Sequence, residues 1–230
     1  MQQIIDEYYM QRALNLAARA QGRTSPNPVV GAVLVKDGQV VGEGYHRKAG
    51  TPHAEVMALQ RAGENARGAT LYVTLEPCCH FGRTPPCCEA VIDRGVVRVV
   101  AATLDPNPLV AGKGMARLRE AGIATGVGIL QEEAWRLNEF FFKYIKEGRP
   151  FVTLKTAMTL DGKIATSSGD SRWISSEAAR EYVHRLRNLY DAIMVGIGTV
   201  LADDPLLNTR LNIEEVRDPL RVILDPQLQL

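Results

Sequence analysis

The chain has 230 residues, 46% of them hydrophobic and 23% charged, a globular composition that excludes an intrinsically disordered polypeptide. A formal net charge of +1 gives no bulk electrostatic grip on nucleic acid or on a membrane surface, and no apolar run reaches the length of a membrane span. The opening residues, MQQIIDEYYMQR, read as no secretory signal. All four cysteines fall in one short stretch as two adjacent pairs, Cys78-Cys79 and Cys87-Cys88. Bridges that staple a fold are spread along a chain, so this clustering points to metal or redox chemistry in a reducing, cytoplasmic compartment.

From Asp6 to Gln21, apolar Leu14, Ala17, Ala18 and Ala20 sit among polar positions as in an amphipathic helix. Gly22 ends it, and Ser25-Pro26-Asn27-Pro28 cannot continue it. Val29 to Val35 reads as a buried strand, Lys36-Asp37-Gly38-Gln39 as a hairpin turn, and Val40 to Tyr45 as the antiparallel return. A helix from His53 to about Ala62, a strand from Thr70 to Leu75, a loop to Pro86 and a helix from Cys87 to Asp93 follow. Then come strand Val96 to Thr103, helix Lys113 to Glu120, strand Ile123 to Gly128 and a helix from about Gln131 to Lys146. Alternating helices and strands after an opening hairpin predict a three-layer α/β domain on a mixed sheet.

Glu147-Gly148-Arg149-Pro150 is the linker, dividing the chain into residues 1–147 and 148–230. Beyond it the reading gives strand Phe151 to Ala157, a polar loop through Gly169, helix Ser176 to Leu189, and strands Ala192 to Val195 and Leu220 to Leu224. The expectation is one complete domain followed by a partial one.

Three segments carry chemistry: His53-Ala54-Glu55 opening a helix, Pro77-Cys78 ending a strand, and Pro85-Pro86-Cys87 opening the next helix. One imidazole and two thiolates form a standard zinc set with a fourth position left for water. A helix start is expected to lower the Cys87 thiol pKa. Glu55, two residues past His53, can approach that water without ligating the metal and move its proton to a leaving amine. This is the H-x-E and Pro-Cys signature of zinc nucleobase deaminases. Buried or redox thiols, or a closed structural zinc site using Cys79, Cys88 or His80, are the alternatives. Proline placement favours Cys78, after Pro77, and Cys87, after Pro86, over their neighbours.

The stretches HAE and TLEPCCHFGRTPPCC, with SPNPVVGAVLVKDG, GEGYH and DPNPLVAGKG, resemble the bifunctional riboflavin-biosynthesis deaminase/reductase family. Eight residues separate Cys78 from Cys87, where the generic cytidine-deaminase signature has two. VTLKTAMTLDGKIATSSGDSRWIS and GIGTVLADDPLLNTR resemble the start of the family's reductase domain, so the likeness covers essentially the whole chain. Cys79 departs from the family, which usually has serine there.

The resemblance implies a cytidine-deaminase-like domain followed by a partial dihydrofolate-reductase-like one. Zinc would sit on His53, Cys78 and Cys87, with Glu55 as proton shuttle. Asn27, His46, His80, Arg83 and Asn107 would bind a small pyrimidine ribose phosphate, Arg83 offering a charge-assisted fork to phosphate. In the second domain, NADPH contacts would fall at Ala157, Trp173, Thr199 and Asp203, and substrate contacts at Lys155, Ser171, Arg187, Leu207 and Arg210. Taken singly, Asn27 and Asn107 also read as turn residues, and Arg187 and Arg210 as surface charges. The implied reaction is deamination of 2,5-diamino-6-ribosylamino-pyrimidinone 5′-phosphate, followed in the whole family by NADPH-dependent reduction of the ribosyl chain. A deaminase acting on another nucleotide or a tRNA base, and a non-catalytic zinc-stabilised module, are the rival readings. The expected partner is the small molecule, with no nucleic acid and no membrane, and self-association is left open. This chain is expected to deaminate without reducing.

Overall fold

The computed structural model describes residues 1–79, 86–108 and 111–230, which fall into two compact units, Met1–Phe151 and Val152–Leu230. In the first unit the order is α1 (Gln2–Ala18), β1 (Gly31–Lys36), β2 (Gln39–Tyr45), α2 (Ala54–Ala62), β3 (Thr70–Val73), α3 (Cys87–Asp93), β4 (Arg98–Ala101), α4 (Lys113–Glu120), β5 (Ala124–Val127), α5 (Gln131–Leu137) and α6 (Glu139–Glu147). The strands form one sheet in the order β2-β1-β3-β4-β5. The pairs β1–β2 and β1–β3 are antiparallel, and β3–β4 and β4–β5 are parallel, so the sheet is mixed.

Alternation along the strands splits the core into two layers. Leu34, Leu71, Val73, Val99 and Ala101 face Leu59 of α2, Val91 of α3 and Met115 and Leu118 of α4. Val33, Val35, Tyr72 and Val100 face Tyr9, Met10, Ala13 and Leu14 of α1 and Ala134 of α5. Period-two strands buried on both faces read as near-continuous apolar runs, and each fully buried side chain contributes about 1.5–3 kcal/mol.

The hairpin turn follows from its dipeptide. Asp37 and Gly38 both have positive φ, 50° and 75°, the two-residue turn whose twist matches the flanking strands. Strand β2 then carries Gly42 and Gly44 where α2 crosses it. A Cβ there would lie 2.2 Å from the Ala58 carbonyl oxygen and 2.4 Å from that of Ala54. Only bare backbone lets α2 settle this deeply, and its N-terminus holds His53 and Glu55.

Several expected elements differ. Helix α1 starts at Gln2 and not at Asp6, because its first turns face solvent and are held by side-chain pairs Gln2–Asp6 and Gln3–Glu7 that leave no apolar period. The helix expected from Gln131 to Lys146 breaks at Asn138. That side chain accepts from the Val29 amide (2.8 Å) and donates to the Val29 carbonyl (2.9 Å), pinning the break to the entry of β1.

The second unit contains α7 (Glu177–Leu189), β6 (Ala192–Gly196), α8 (Ile197–Asp203) and β7 (Leu220–Leu224), with β6 and β7 parallel. Ser176 caps α7 by accepting from the Ala179 amide. The strand expected from Phe151 to Ala157 does not form; among the described residues it has no ladder partner, and apolar character alone does not make a strand. Helix α8 begins immediately after β6 at the Gly196-Ile197-Gly198 turn, where the sequence showed only a glycine pair. Leu207 and Thr209 are buried, whereas Leu154, Leu160 and Ile164 are exposed. No described helix is long and apolar enough to cross a membrane.

Candidate active site

One edge of the five-stranded sheet gathers the site. The carboxyl ends of β3 and β4, the exit of β2, the entry of β1 and the start of α2 all open into a cavity of about 510 Å³. A crevice beyond the carboxyl ends of parallel strands is where α/β sheets place their ligands. Its lining includes Asn27, His46, His53, Glu55, Glu76 and Cys78, with Asp105 and Asn107 from the loop after β4 and Phe141 from α6.

His53 precedes the first turn of α2 in extended conformation, which turns its ring toward the end of β3. Its Nδ1 lies 3.1 Å from Cys87 Sγ and 3.6 Å from Cys78 Sγ. The ligand atoms of His53, Cys78 and Cys87 all lie within 4.8 Å of one another. Among the described residues this is the one cluster of three or more such groups. The neighbouring thiols are engaged elsewhere. Cys88 donates toward the carbonyls of Pro77 (3.4 Å) and Gly114 (3.5 Å), and Cys79 packs against the core.

The electrostatics of the pair correct one expectation. Cys87 opens α3, but its amide donates to Cys78 Sγ at 3.3 Å, so the helix start favours the Cys78 thiolate. Hydrogen bonding from Cys87 brings the Cys78 thiol down to about 4 against the opposing effect of burial, with His53 helping. Cys87 is pushed up, first by its hydrogen bond to Cys78, then by burial and the charges of Glu55 and Cys78. Two thiolates and a carboxylate cannot share this buried space without a cation among them. That demand, with one imidazole and two sulfurs as donors, fits a divalent zinc ion.

Glu55 is buried in the first turn of α2, and burial, with the Cys78 charge, pushes its carboxyl up to about 7. His46 is buried and neutral, burial being the first cause of its lowered pKa. Its Nδ1 donates to the Pro52 carbonyl (3.3 Å), so Nε2 accepts from the Asn27 amide nitrogen (3.0 Å). Asn107 follows Asp105, whose carboxylate accepts from the Asn107 amide at 2.8 Å. His80 and Arg83 lie outside the described residues.

The second-unit candidates gather less. Arg187 donates to the Asn208 carbonyl (3.0 Å) and Arg210 to the Asn208 side chain (2.6 Å), which brings these arginines together beside buried Leu207. Arg187 Nε is buried without a hydrogen-bond partner. Lys155, Trp173, Thr199 and Asp203 are exposed, and Ala157 and Ser171 are half-buried. The Arg180 guanidinium covers the Trp173 ring at 4.4 Å.

Sequence reasoning passed over Glu76 and Asn138. Glu76 accepts three backbone amides at the cavity wall, and Asn138 braces the strand entry two residues from Asn27. Both act through backbone groups distant in sequence. No motif marks Asn138, and the position of Glu76 directly before Pro77-Cys78 was its only signal.

This fold and this donor set define a zinc-site domain of the cytidine-deaminase class. Residues 3–103 match the cytidine and deoxycytidylate deaminase zinc-binding region, and residues 150–230 match the RibD C-terminal domain. The chain is 58% identical over 226 residues to the riboflavin biosynthesis protein RibD of Aquifex aeolicus, covering 98% of this chain and 63% of that relative. It is 52% identical over 233 residues to the Escherichia coli K12 protein of the same name, covering 96% and 64%. The crystal structure of the Thermotoga maritima diaminohydroxyphosphoribosylaminopyrimidine deaminase/5-amino-6-(5-phosphoribosylamino)uracil reductase superposes with a TM-score of 0.93 at 50% identity, covering 99% of this chain and 65% of that one. An Aspergillus oryzae Rib2 deaminase, 23% identical with a TM-score of 0.51, shares the fold over 62% of this chain. Over almost its whole length the chain is similar to these bifunctional riboflavin-biosynthesis deaminase/reductases, its second unit matching their C-terminal domain. It spans a little under two thirds of the length of these full-length relatives.

Proposed function

We propose that the first unit is a zinc-dependent deaminase that hydrolyses 2,5-diamino-6-ribosylamino-pyrimidinone 5′-phosphate in riboflavin biosynthesis. The observation that carries this reading is the convergence of His53, Cys78 and Cys87 beside buried Glu55 in the cavity. Zinc bound by those three residues supplies the Lewis acidity that brings deprotonation of water near neutral pH. Glu55 takes a proton from the attacking water and delivers it to the amine that departs as ammonia. The ring carbon exchanges its bond to nitrogen for one to oxygen, and burial of Glu55 keeps the proton from bulk solvent. The Asn27 amide nitrogen is committed to His46, so its carbonyl oxygen is the end that reads a ring amino group. His46, His80 and Asn107 are assigned to the substrate, and Arg83 to its phosphate, from the family motif.

Residues 148–230 are assigned to the family's reductase half. NADPH is placed at Ala157, Trp173, Thr199 and Asp203, and the second substrate at Lys155, Ser171, Arg187, Leu207 and Arg210. The arginine pair at Asn208 supports the substrate side, since two adjacent guanidiniums suit a phosphate. The reading also assigns the protein to a reducing compartment, the cytoplasm, and the clustering of its four free thiols supports this.

Product identification tests the deaminase reading. Incubation of the zinc-loaded chain with the diaminopyrimidine phosphate should yield the 5-amino-uracil derivative by mass spectrometry, one amine replaced by oxygen. An unchanged pyrimidine, with turnover of another base instead, would reassign the substrate.

A further inference from the structure

Glu76 sits at the end of β3, one residue before Pro77-Cys78, with its carboxylate buried at the cavity wall. Oε2 accepts from the amides of Asp105 (3.2 Å) and Gly112 (2.8 Å), and Oε1 from that of Met115 (3.1 Å). Its own amide donates to the Thr103 carbonyl at 3.0 Å. Gly112 precedes α4 and has no side chain to cap it, so Glu76 supplies from another element the acceptor those first amides need. The approach is close. A Cβ on Gly114 would lie 2.0 Å from the Pro77 carbonyl oxygen and 3.2 Å from Glu76 Oε1. One carboxylate therefore ties together the turn that carries Cys78, the loop that carries Asn107, and the start of α4.

We propose that Glu76 is a positioning residue, holding the Asp105–Asn107 loop at a fixed distance from the metal turn so that the substrate ring is presented to Glu55. This rests on the deaminase reading and on Asn107 as a substrate contact. Glu76 does not need to touch metal or substrate, because its oxygens are taken up by amides. Its side chain reports on substrate binding and not on metal retention.

Replacing it with glutamine is nearly isosteric but reverses one polarity. Whichever way the new amide is turned, its NH₂ faces either Met115 N–H or the Asp105 and Gly112 N–H pair, a donor against donors. The loop is expected to loosen while Pro77-Cys78 stays in place. Glu76→Gln should raise KM for the pyrimidine phosphate roughly tenfold, as for the loss of a charge-assisted hydrogen bond, with kcat within about twofold. Zinc content by metal analysis should equal that of the unsubstituted chain. In an Asn107→Ala background the same substitution should change KM little, since the residue it acts through is gone. Gly114→Ala, whose methyl crowds both the Pro77 carbonyl and the Glu76 carboxylate, should reproduce the KM effect.

Loss of zinc together with activity in Glu76→Gln would overturn the proposal by making Glu76 a support of the metal turn. A fall in kcat at unchanged KM, or additivity with Asn107→Ala, would also overturn it. Failure of both Glu76→Gln and Gly114→Ala to fold would reduce the residue to a structural one. Absence of ammonia release by the unsubstituted chain removes the deaminase reading and this inference with it. Turnover by that chain with an unchanged Glu76→Gln KM removes the inference alone.

Discussion

Three adjacent groups at the start of α2 and α3 divide the chemical labour, and substitution separates them. In the proposed reaction Glu55 moves a proton and holds no metal, so Glu55→Gln should keep its zinc and lose deamination by roughly 10²–10⁴-fold, the usual contribution of a general acid–base. Cys87→Ser should lose zinc, whereas Cys88→Ser should keep it, because the Cys88 thiol is spent on the Pro77 and Gly114 carbonyls. Metal analysis of the three variants checks both points; zinc lost from Cys88→Ser and kept by Cys87→Ser would contradict the ligand set. At this scale the sequence was informative where chemistry needs particular side chains in a short span, as in HAE and PCC. It misled on Cys87, because which sulfur receives a helix-start amide depends on a turn nine residues upstream, at Cys78. It was silent on Glu76, whose partners at Asp105, Gly112 and Met115 come from segments that only the sheet brings close.

Helix α1 is fastened to the sheet through a buried acid. Asp6 accepts from Arg98 Nη2 at 2.5 Å and from the Tyr72 hydroxyl at 2.7 Å. Burial alone would raise the carboxyl, but the bonds from Arg98, Tyr72 and Gln2 outweigh it and hold it at about 2, below its ordinary value of 3.8. A depressed carboxylate contributes stability that is present above the unfolded value and disappears as pH falls through the folded one. Asp6 should therefore contribute on the order of 2 kcal/mol at neutral pH, lost between about pH 4 and pH 2. Denaturant titrations across that range should show the loss in the unsubstituted chain and a flatter profile in Asp6→Asn; identical profiles would contradict the network's role. Element boundaries were legible where apolar spacing or a turn dipeptide marked them, as at Asp37-Gly38. They were not legible for the first turn of α1, whose Ile4 and Ile5 are exposed and mark no buried face, nor for the break at Asn138, which is made by a side-chain bond to Val29.

Over the molecule the two units differ in how much they enclose. The first buries both faces of a five-stranded sheet, while the second has a two-stranded sheet on which Met194, Leu220 and Leu224 remain exposed. Trp173, Thr199 and Asp203, assigned to NADPH, are all exposed. Titration of this 230-residue polypeptide with NADPH should accordingly show little binding by fluorescence or calorimetry, and saturable tight binding would contradict that expectation. The alternation of helix and strand announced the three-layer first unit, but Phe151–Ala157 misled because a strand exists only with a neighbour to pair with. Metal-dependent hydrolysis in the first unit is the proposed activity on which every other role depends. Its most direct test is ammonia release from 2,5-diamino-6-ribosylamino-pyrimidinone 5′-phosphate, measured with the same preparation zinc-loaded, stripped by chelator and reloaded. Release that stops on stripping and returns with zinc is the predicted result; release that persists at the loaded rate in the metal-free protein would contradict it.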